Sequence, residues 1–344
     1  MRAAQSEDRA EEKAPARMGV VDIRHFRAFL MEGERAKLFH ALHTPRPAVA
    51  LFQTLQTWGL IVAAWALCFY VSPLWLPLAL VLVGSRQRAL GNSLHDASHG
   101  NMLQGREANR RVGSVLFALP MFEDFELYRT DHLNHHAYLG DPVKDPDFMA
   151  LPPGADGQPS RDGWRVYSAF LFDGPLWRKS LWGVLGRMTS AQRLQVLLWW
   201  TVVLALFAAL AGPRAALSFA ALWMLSRATV YHAIKVFAEV SDHIGLVPGS
   251  IIGYTRNLPG NALSFLLHPH HDNYHLAHHL FPRIPLANLR RLHLLLKESP
   301  EYGAAHHCDT YFAGPSSVVH SWVAPKPLPS LATAREALQP HHAA

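Results

Sequence analysis

The sequence predicts an all-α membrane protein: four transmembrane helices in two hairpins, with a cytosolic helical cap. Half of the 344 residues are hydrophobic, and they gather in two long blocks, residues 48–84 and 194–238. A spanning helix needs about 20 residues, so each block is too long for one span. Each is also broken by a turn, Ser72-Pro73 in the first and Gly212-Pro213-Arg214 in the second. Charge supplies the third observation. Arg214 is the one charge on the inter-helix turns, while Arg86, Arg88, Arg106, Arg110, Arg111, Arg178, Lys179, Arg187, Arg193 and Arg256 lie on the other side. The positive-inside rule therefore puts both termini and the segments between the hairpins in the cytosol.

Along the chain, residues 1–47 read as a cytosolic N-terminal segment. Residues 1–18 are charge- and Ala-rich with nothing to bury, so disorder is expected, and no apolar run follows that would make a secretory signal. Val21, Phe26, Phe29, Leu30, Leu38 and Phe39 space out as one short cytosolic or interfacial amphipathic helix. The spans are expected at about 48–71, 74–94, 194–211 and 215–238, within a catalytic domain covering 48–295. The second span turns polar at Ser85, Arg86, Gln87 and Arg88 and should leave the bilayer there. Between the hairpins come an interfacial segment at 112–122 and a Pro/Gly/Asp loop at 141–161. Residues 296–344 form a cytosolic C-terminal segment whose Pro/Ala-rich end is expected to be disordered.

The formal charge is +6 and the pI near 9.4. Lys and Arg flank the apolar blocks instead of forming a stripe interleaved with aromatics, which excludes nucleic acid as the partner. Of the two cysteines, Cys68 lies inside an apolar run. No disulfide is expected, and the polar side should face a reducing compartment.

Twenty-two histidines are the unusual feature; ordinary usage of about 2% would supply roughly seven or eight. HDASH places His95 and His99 at i, i+4, on one helix face, where they can chelate one ion. HLNHH holds His132 and His136 on one face and turns His135 by about 100° from His136. Neighbours that diverge in this way suit two ions, one on each side. NYHLAHHLFP repeats the arrangement with His275, His278 and His279. EVSDH adds Glu239 and His243 one helical turn apart, right after the last span. Nine imidazoles and a carboxylate are too many for one ion, since a structural zinc takes four ligands and a catalytic zinc three. The cap is therefore expected to hold a dinuclear site. Imidazole suits Zn, Fe, Cu or Ni; the membrane setting favours iron, because attack on an alkyl chain calls for O₂ activation.

HxxxH, HxxHH and HxxHH following paired spans resemble the membrane fatty acid desaturase/hydroxylase superfamily over roughly residues 48–295. NYHLAHHLFPRIP is especially similar to that family's third box, and EVSDH falls where stearoyl-CoA desaturase has another ligand segment. The resemblance implies two Fe ions held by His95, His99, His132, His135, His136, His243, His275, His278 and His279, with O₂ as co-substrate and an external reductant. Glu239 stands where that desaturase has an asparagine reaching its metal through water. This departure makes Glu239 the candidate catalytic residue, able to change coordination and outcome. Ala277 also departs from the acidic residue often found in the third box. Metal-bound imidazoles usually donate their other N–H to a polar neighbour; the candidates are Asp96, Asn92, Asp131, Asp242 and Asn273.

Other polar groups receive more ordinary readings. Asp141, Asp145 and Asp147 could orient the second box, but DPVKDPDF reads first as a turn-rich loop. His268, His270 and His271 precede the third box as outer-sphere or surface groups; His306, His307, His341 and His342 read as solvent-exposed. Arg227, His232 and Lys235 near the inner boundary either meet a substrate anion or snorkel. The spans should enclose an apolar tunnel, with Trp58, Trp65, Phe69 and Trp75 read chiefly as lipid contacts.

The expected function is O₂-dependent oxidation of C–H bonds in a fatty acyl or lipid-like substrate. Desaturation comes first, with hydroxylation or oxidative decarboxylation to a terminal alkene as alternatives. A divalent-metal transporter would need ligands at broken helices in mid-bilayer. A zinc hydrolase would need the Glu of HExxH, which HDASH lacks. The sequence carries no HPGG-type cytochrome b5 signature, flavin fingerprint or iron–sulfur cysteine set. Electrons must then come from a separate ferredoxin or cytochrome, docking on Arg106, Arg110, Arg111, Arg290 and Arg291.

Overall fold

The computed structural model describes residues 19–154 and 156–328. The disorder expected of residues 1–18, the end of the C-terminal tail, and His341 and His342 fall outside these. The architecture is helical. Strand, among the described residues, is confined to a two-residue parallel pair and two isolated bridges.

The amphipathic N-terminal segment is two helices where one was expected, α1 (Val20–Leu30) and α2 (Gly33–Leu42). The chain bends between them, with Gly33 at φ 55°, a left-handed value that glycine adopts without steric cost. Phe26, Leu30, Phe39 and Leu42 are buried in one cluster with Leu276, Leu280, Phe281 and Leu289. The segment therefore clamps the third histidine box.

The first hairpin is α3 (Pro47–Ala66), continued by a π-helical turn at Leu67–Val71, then α4 (Leu76–Ser98). Proline at the first position of α3 occupies a site where no N–H is needed. Ser72 accepts from Leu74 N and starts the turn. Next come α5 (Arg106–Val112), irregular helical turns over Gly113–Ala118 and Leu119–Met121, and α6 (Phe125–Ala137). The 112–122 stretch, expected at the interface, buries Phe117 and Met121 with residues of α4. Asp124, Asp162 and Asp173 cap α6, α7 (Gly163–Leu171) and α8 (Gly174–Trp182) by accepting from first-turn N–H groups.

The second hairpin begins with α9 (Ser190–Ala211), which opens on a Thr189/Gln192 capping box. Its return arm is α10 (Pro213–Ser226), a π-helical turn at Arg227–Tyr231, and α11 (His232–His243). Beyond it lie α12 (Ile251–Tyr254), β1 (Arg256–Asn257), α13 (Ser264–Leu267), α14 (His275–Leu280), α15 (Leu286–Leu296), α16 (Pro300–Ala304), β2 (His306–His307) and α17 (Val318–Ser321). β1 pairs with β2, Arg256 opposite His306. His306 is therefore buried, and His307 Nε2 lies 2.7 Å from Tyr302 O. Neither is the solvent-exposed group that the sequence suggested.

Two described helices, Pro47–Val71 and Ser190–Ala211, are long and apolar enough to cross a membrane, with mean hydropathy 1.5 and 2.2. The sequence led to an expectation of four. The return arm of each hairpin falls short because it faces inward with polar groups: Arg86, Gln87, Asn92 and Ser93 on α4, Ser226, Arg227 and His232 on the second, all buried.

Several side chains expected at lipid or water make contacts inside the protein. Trp65 is buried and donates to Ser218 Oγ at 2.9 Å; Phe69 stacks on it. Trp58 stacks on Trp223, rings 5.8 Å apart. Trp75 is exposed. Arg227 does not snorkel: it donates to Ser180 O at 2.6 Å and Leu181 O at 2.9 Å, over the Phe122 ring. His232 Nδ1 meets Ser180 Oγ at 2.8 Å. Both fasten α8 to the second hairpin. Cys68 and Cys308 are free thiols.

The hairpins approach closely at Gly84, where a Cβ would lie 2.7 Å from Tyr231 N. Gly84→Val is expected to cost about 1–3 kcal/mol as overpacking, read as a lowered Tm of the detergent-solubilised protein. Gly91→Ala meets nothing within 4 Å and should leave Tm unchanged or slightly higher. Equal behaviour of the two variants would refute this packing.

Candidate metal centre

α4, α6, α11 and α14 bring all nine sequence-predicted histidines together in two adjoining groups. His95, His99, His132, His136 and His278 form one; His135, His243, His275 and His279 form the other. Within each, the candidate ligand atoms lie within 4.8 Å of one another. In the first group, Nε2 separations are 2.9 Å for His95–His278, 2.8 Å for His99–His132, 3.1 Å for His132–His136 and 3.0 Å for His136–His278. In the second they are 3.3 Å for His135–His279, 3.2 Å for His243–His275 and 3.0 Å for His275–His279. The groups are in contact, His136 and His279 having ring centroids 4.4 Å apart.

The division follows helical geometry. On α6, His132 and His136 share a face and join the first group, while His135 points into the second. On α14 the sharing is reversed: His275 and His279 enter the second group and His278 the first. Each doubled box thus gives two imidazoles to one group and one to the other.

The donor set fits metal ions. A neutral imidazole has one N–H and one bare lone pair. His135 Nδ1 lies 2.8 Å from Asp145 Oδ1, and His243 Nδ1 2.7 Å from Tyr254 O. Those acceptors take the Nδ1 protons, so both Nε2 lone pairs point inward among other imidazole nitrogens. Buried lone pairs facing one another are unfavourable until a cation lies between them.

Burial also holds most of these rings unprotonated, as ligation requires. It lowers His99 and His243 to about 3, with Arg129 adding to the effect on the first and His135 on the second. Burial and neighbouring imidazoles take His132, His136, His275, His278 and His279 well below the ordinary range. His135 is the exception. Burial pulls it down, but the bond to Asp145 and the charges of Asp147 and Asp145 outweigh this and raise it.

Among the outer-sphere candidates, Asp242 approaches a grouped imidazole, its Oδ2 3.7 Å from His275 Nε2. The other four act on the scaffold. Asn92 donates to Pro269 O at 2.8 Å, Asp96 accepts from Leu286 N at 3.1 Å, and Asn273 donates to Leu258 O at 3.4 Å. Asp131 pairs with Arg187. Glu239 belongs to neither group and is ion-paired with Lys235. His268 stacks on Tyr311, and His270 lies between Thr57 and Ser93, 3.5 and 3.3 Å away; neither joins the groups.

Asp145, which the sequence offered as one of three residues able to orient the second box while favouring a turn-rich loop, takes that orienting place. Asp141 does build the expected turn, accepting from Val143 N and Lys144 N. Asp145 is buried, accepts from Gly140 N and Asp147 N, and still reaches His135. Its spacing of ten residues from His135 has no helical meaning, so local periodicity could not choose it over Asp141 and Asp147.

Three outcomes are expected. Asp145→Asn should weaken metal retention about 10–100-fold, measured as metal per chain after dialysis against a graded chelator; unchanged retention would sink the role given to Asp145. His278→Ala and His279→Ala should each leave about half the wild-type metal, by elemental analysis of purified protein. For the metal-free chain, a folded value near 3 for His99 and His243 against an ordinary 6.5 means that the unfolded state binds more protons between those limits. Stability should then fall as pH drops below about 6.5. A Tm that stays flat from pH 7 to 5 would contradict this.

The fatty acid desaturase family model matches residues 72–310, a stretch containing every grouped histidine. A dihydrorhizobitoxine desaturase of Bradyrhizobium elkanii is similar, 31% identical over 262 residues, 70% of this chain and 74% of that one. Two proteins of Haematococcus lacustris, beta-carotene 4-ketolase 3 and a beta-carotene ketolase, are 27% and 28% identical. Each of those alignments covers 58% of this chain and 57% of the ketolase.

Proposed function

This chain belongs to the fatty acid desaturase family, and on that footing we propose that it is an O₂-dependent di-iron oxidase of a fatty acyl or other lipid-like substrate. The family makes it a membrane-associated oxidoreductase of C–H bonds. The two ions, with their ligands, are the finer reading, and one observation carries it: imidazole nitrogens converging in two adjoining sets, five and four. One iron belongs in each set. Bound there, the pair supplies O₂ activation and the oxidising power to break an unactivated C–H bond.

The chain's own residues hold this chemistry in place. Asp145 and the Tyr254 carbonyl fix the rings of His135 and His243 with Nε2 inward. Leu276, Ala277 and Leu280, all buried, pack the back of α14 against α1, α2 and α15 and keep water from that side. Desaturation is the outcome proposed first. Oxygenation of the carbon is the second reading, supported by the ketolase names among the relatives.

The same reading includes four spans at about 48–71, 74–94, 194–211 and 215–238, a catalytic domain over 48–295, and termini and metal centre on the cytoplasmic side. Electrons come from a separate ferredoxin or cytochrome on the basic surface of Arg106, Arg290 and Arg291, which are exposed. Arg110 and Arg111 contribute less, since both pair with Glu107.

Purified protein is expected to contain about two iron ions per chain and to consume O₂ on addition of a reductant and a lipid-like substrate. Mass spectrometry should then show a product two hydrogens lighter, or one oxygen heavier on the second reading. A single zinc per chain, or no O₂ uptake with iron present, would end the proposal.

A further inference from the structure

At the end of α4 a cavity of about 680 Å³ reaches the metal centre. Its walls come from α1, α2, the loop at 100–105 and the stretch after α14, and the ring of His99 lies among them. His99 belongs to the five-histidine group and is partly exposed. No other histidine of the two groups lines this cavity. α4 runs for 23 residues beyond the Ser72-Pro73 turn, about 35 Å of helix, and the cavity begins where it stops. The mouth therefore opens at the end of the first hairpin remote from its turn, on the side that the four-span reading gives to water.

The wall carries one sign of charge. Arg27 on α1 and Arg283 after α14 line it, with His40 on α2, and among the described residues no carboxylate does. Both arginines are exposed, and neither has an ion-pair partner among the described residues. Other surface arginines are answered: Arg35 by Glu32 and Glu298, Arg110 and Arg111 by Glu107, Arg187 by Asp131. Arg129 adds positive charge behind the floor, donating to Ser98 O at 3.1 Å. Phe39 and Phe281 make the apolar side, packed edge to face with centroids 5.0 Å apart.

Electron supply selects the occupant. Reduction of O₂ in this chemistry takes two electrons and two protons from outside the substrate. With two substrate hydrogens they yield two waters on desaturation; on oxygenation one oxygen enters the carbon and the other leaves as water. A one-electron carrier is therefore oxidised twice in each turnover, and water at the cavity mouth supplies the protons. Electron transfer between proteins falls off steeply with distance, so the carrier must approach where little more than a ligand ring covers the centre. Unanswered arginines suit an acidic partner, and a cavity admits a projecting loop within the small contacts typical of redox encounters, below about 1,200 Å². A fatty acid carboxylate would also suit the arginines, but it would hold its chain at the water end of α4, away from the apolar hairpins. Resting on the oxidase reading above, we propose that this cavity is the docking and electron-entry site of an acidic one-electron carrier protein. The carrier seats a carboxylate-bearing projection at Arg27 and Arg283 and passes electrons through the His99 ring into the five-histidine group.

The test is binding to the purified full-length holoprotein in detergent, by interferometry. The probes are an acidic iron–sulfur ferredoxin and a soluble acidic cytochrome b5 domain, both oxidised so that no turnover is needed, with laurate titrated in parallel by calorimetry. At least one carrier should bind saturably, and raising the salt from about 50 to about 500 mM should weaken it at least tenfold. Arg27→Glu and Arg283→Glu should each weaken it about tenfold. Gln104→Trp, an uncharged plug in the cavity wall, should do the same, all three with metal content unchanged. Arg161→Glu, on an exposed loop before α7, should leave binding as it is. The rate at which the holoprotein oxidises reduced carrier under O₂ should fall in the same order as the affinity. Carrier binding that ignores all three cavity variants, or no binding of either carrier, would overturn the proposal. So would variants that lose laurate and keep the carrier, which would make the cavity a fatty-acid site. O₂ uptake by the wild-type protein with a small-molecule reductant judges the oxidase reading separately.

Discussion

Nine imidazoles can be packed together only if most of them stay neutral and their lone pairs have something to face. Much of the surrounding structure serves that constraint. Proton acceptors stand behind His135 and His243, so their lone pairs point inward. Burial keeps most of the other rings from taking protons. What remains is two pockets of nitrogen donors that are unfavourable alone and favourable around cations. Their adjacency comes from two short helices, α6 and α14, each carrying a doubled box and splitting it between the pockets in opposite proportion.

The hairpins show the same division of labour. α3 and α9 are apolar enough to meet lipid; α4 and the α10–α11 arm carry the polar groups inward. The buried arginines there are matched to carbonyls, as low-dielectric surroundings demand. Arg227 bonds to Ser180 and Leu181, and Arg256 to Ser241 O and Ile244 O at 2.8 and 2.7 Å. Arg256 thereby anchors the end of α11 where His243 leaves the helix. These contacts do not touch the candidate ligands, yet they set the angle at which α11 reaches them.

Family membership and substrate are carried by different parts of the molecule. The histidine boxes lie on helices whose packing leaves little freedom. The segments that join these helices, such as the loop after α6, can change without disturbing the metal pockets.

Much of the centre was legible in the linear order of residues. Spacings of three and four decide which histidines share a face and which diverge, because a helix has a fixed pitch. Prolines and glycines between apolar runs mark the hairpin turns. Local periodicity could not say which box feeds which pocket, since His95 meets His278 across 183 positions. Nor could it single out Asp145 among the three aspartates offered behind the second box, or reveal that His306 is buried in a strand pair and that Glu239 pairs with Lys235. Pairings of that kind follow from how helices pack, and packing is settled by the whole chain at once.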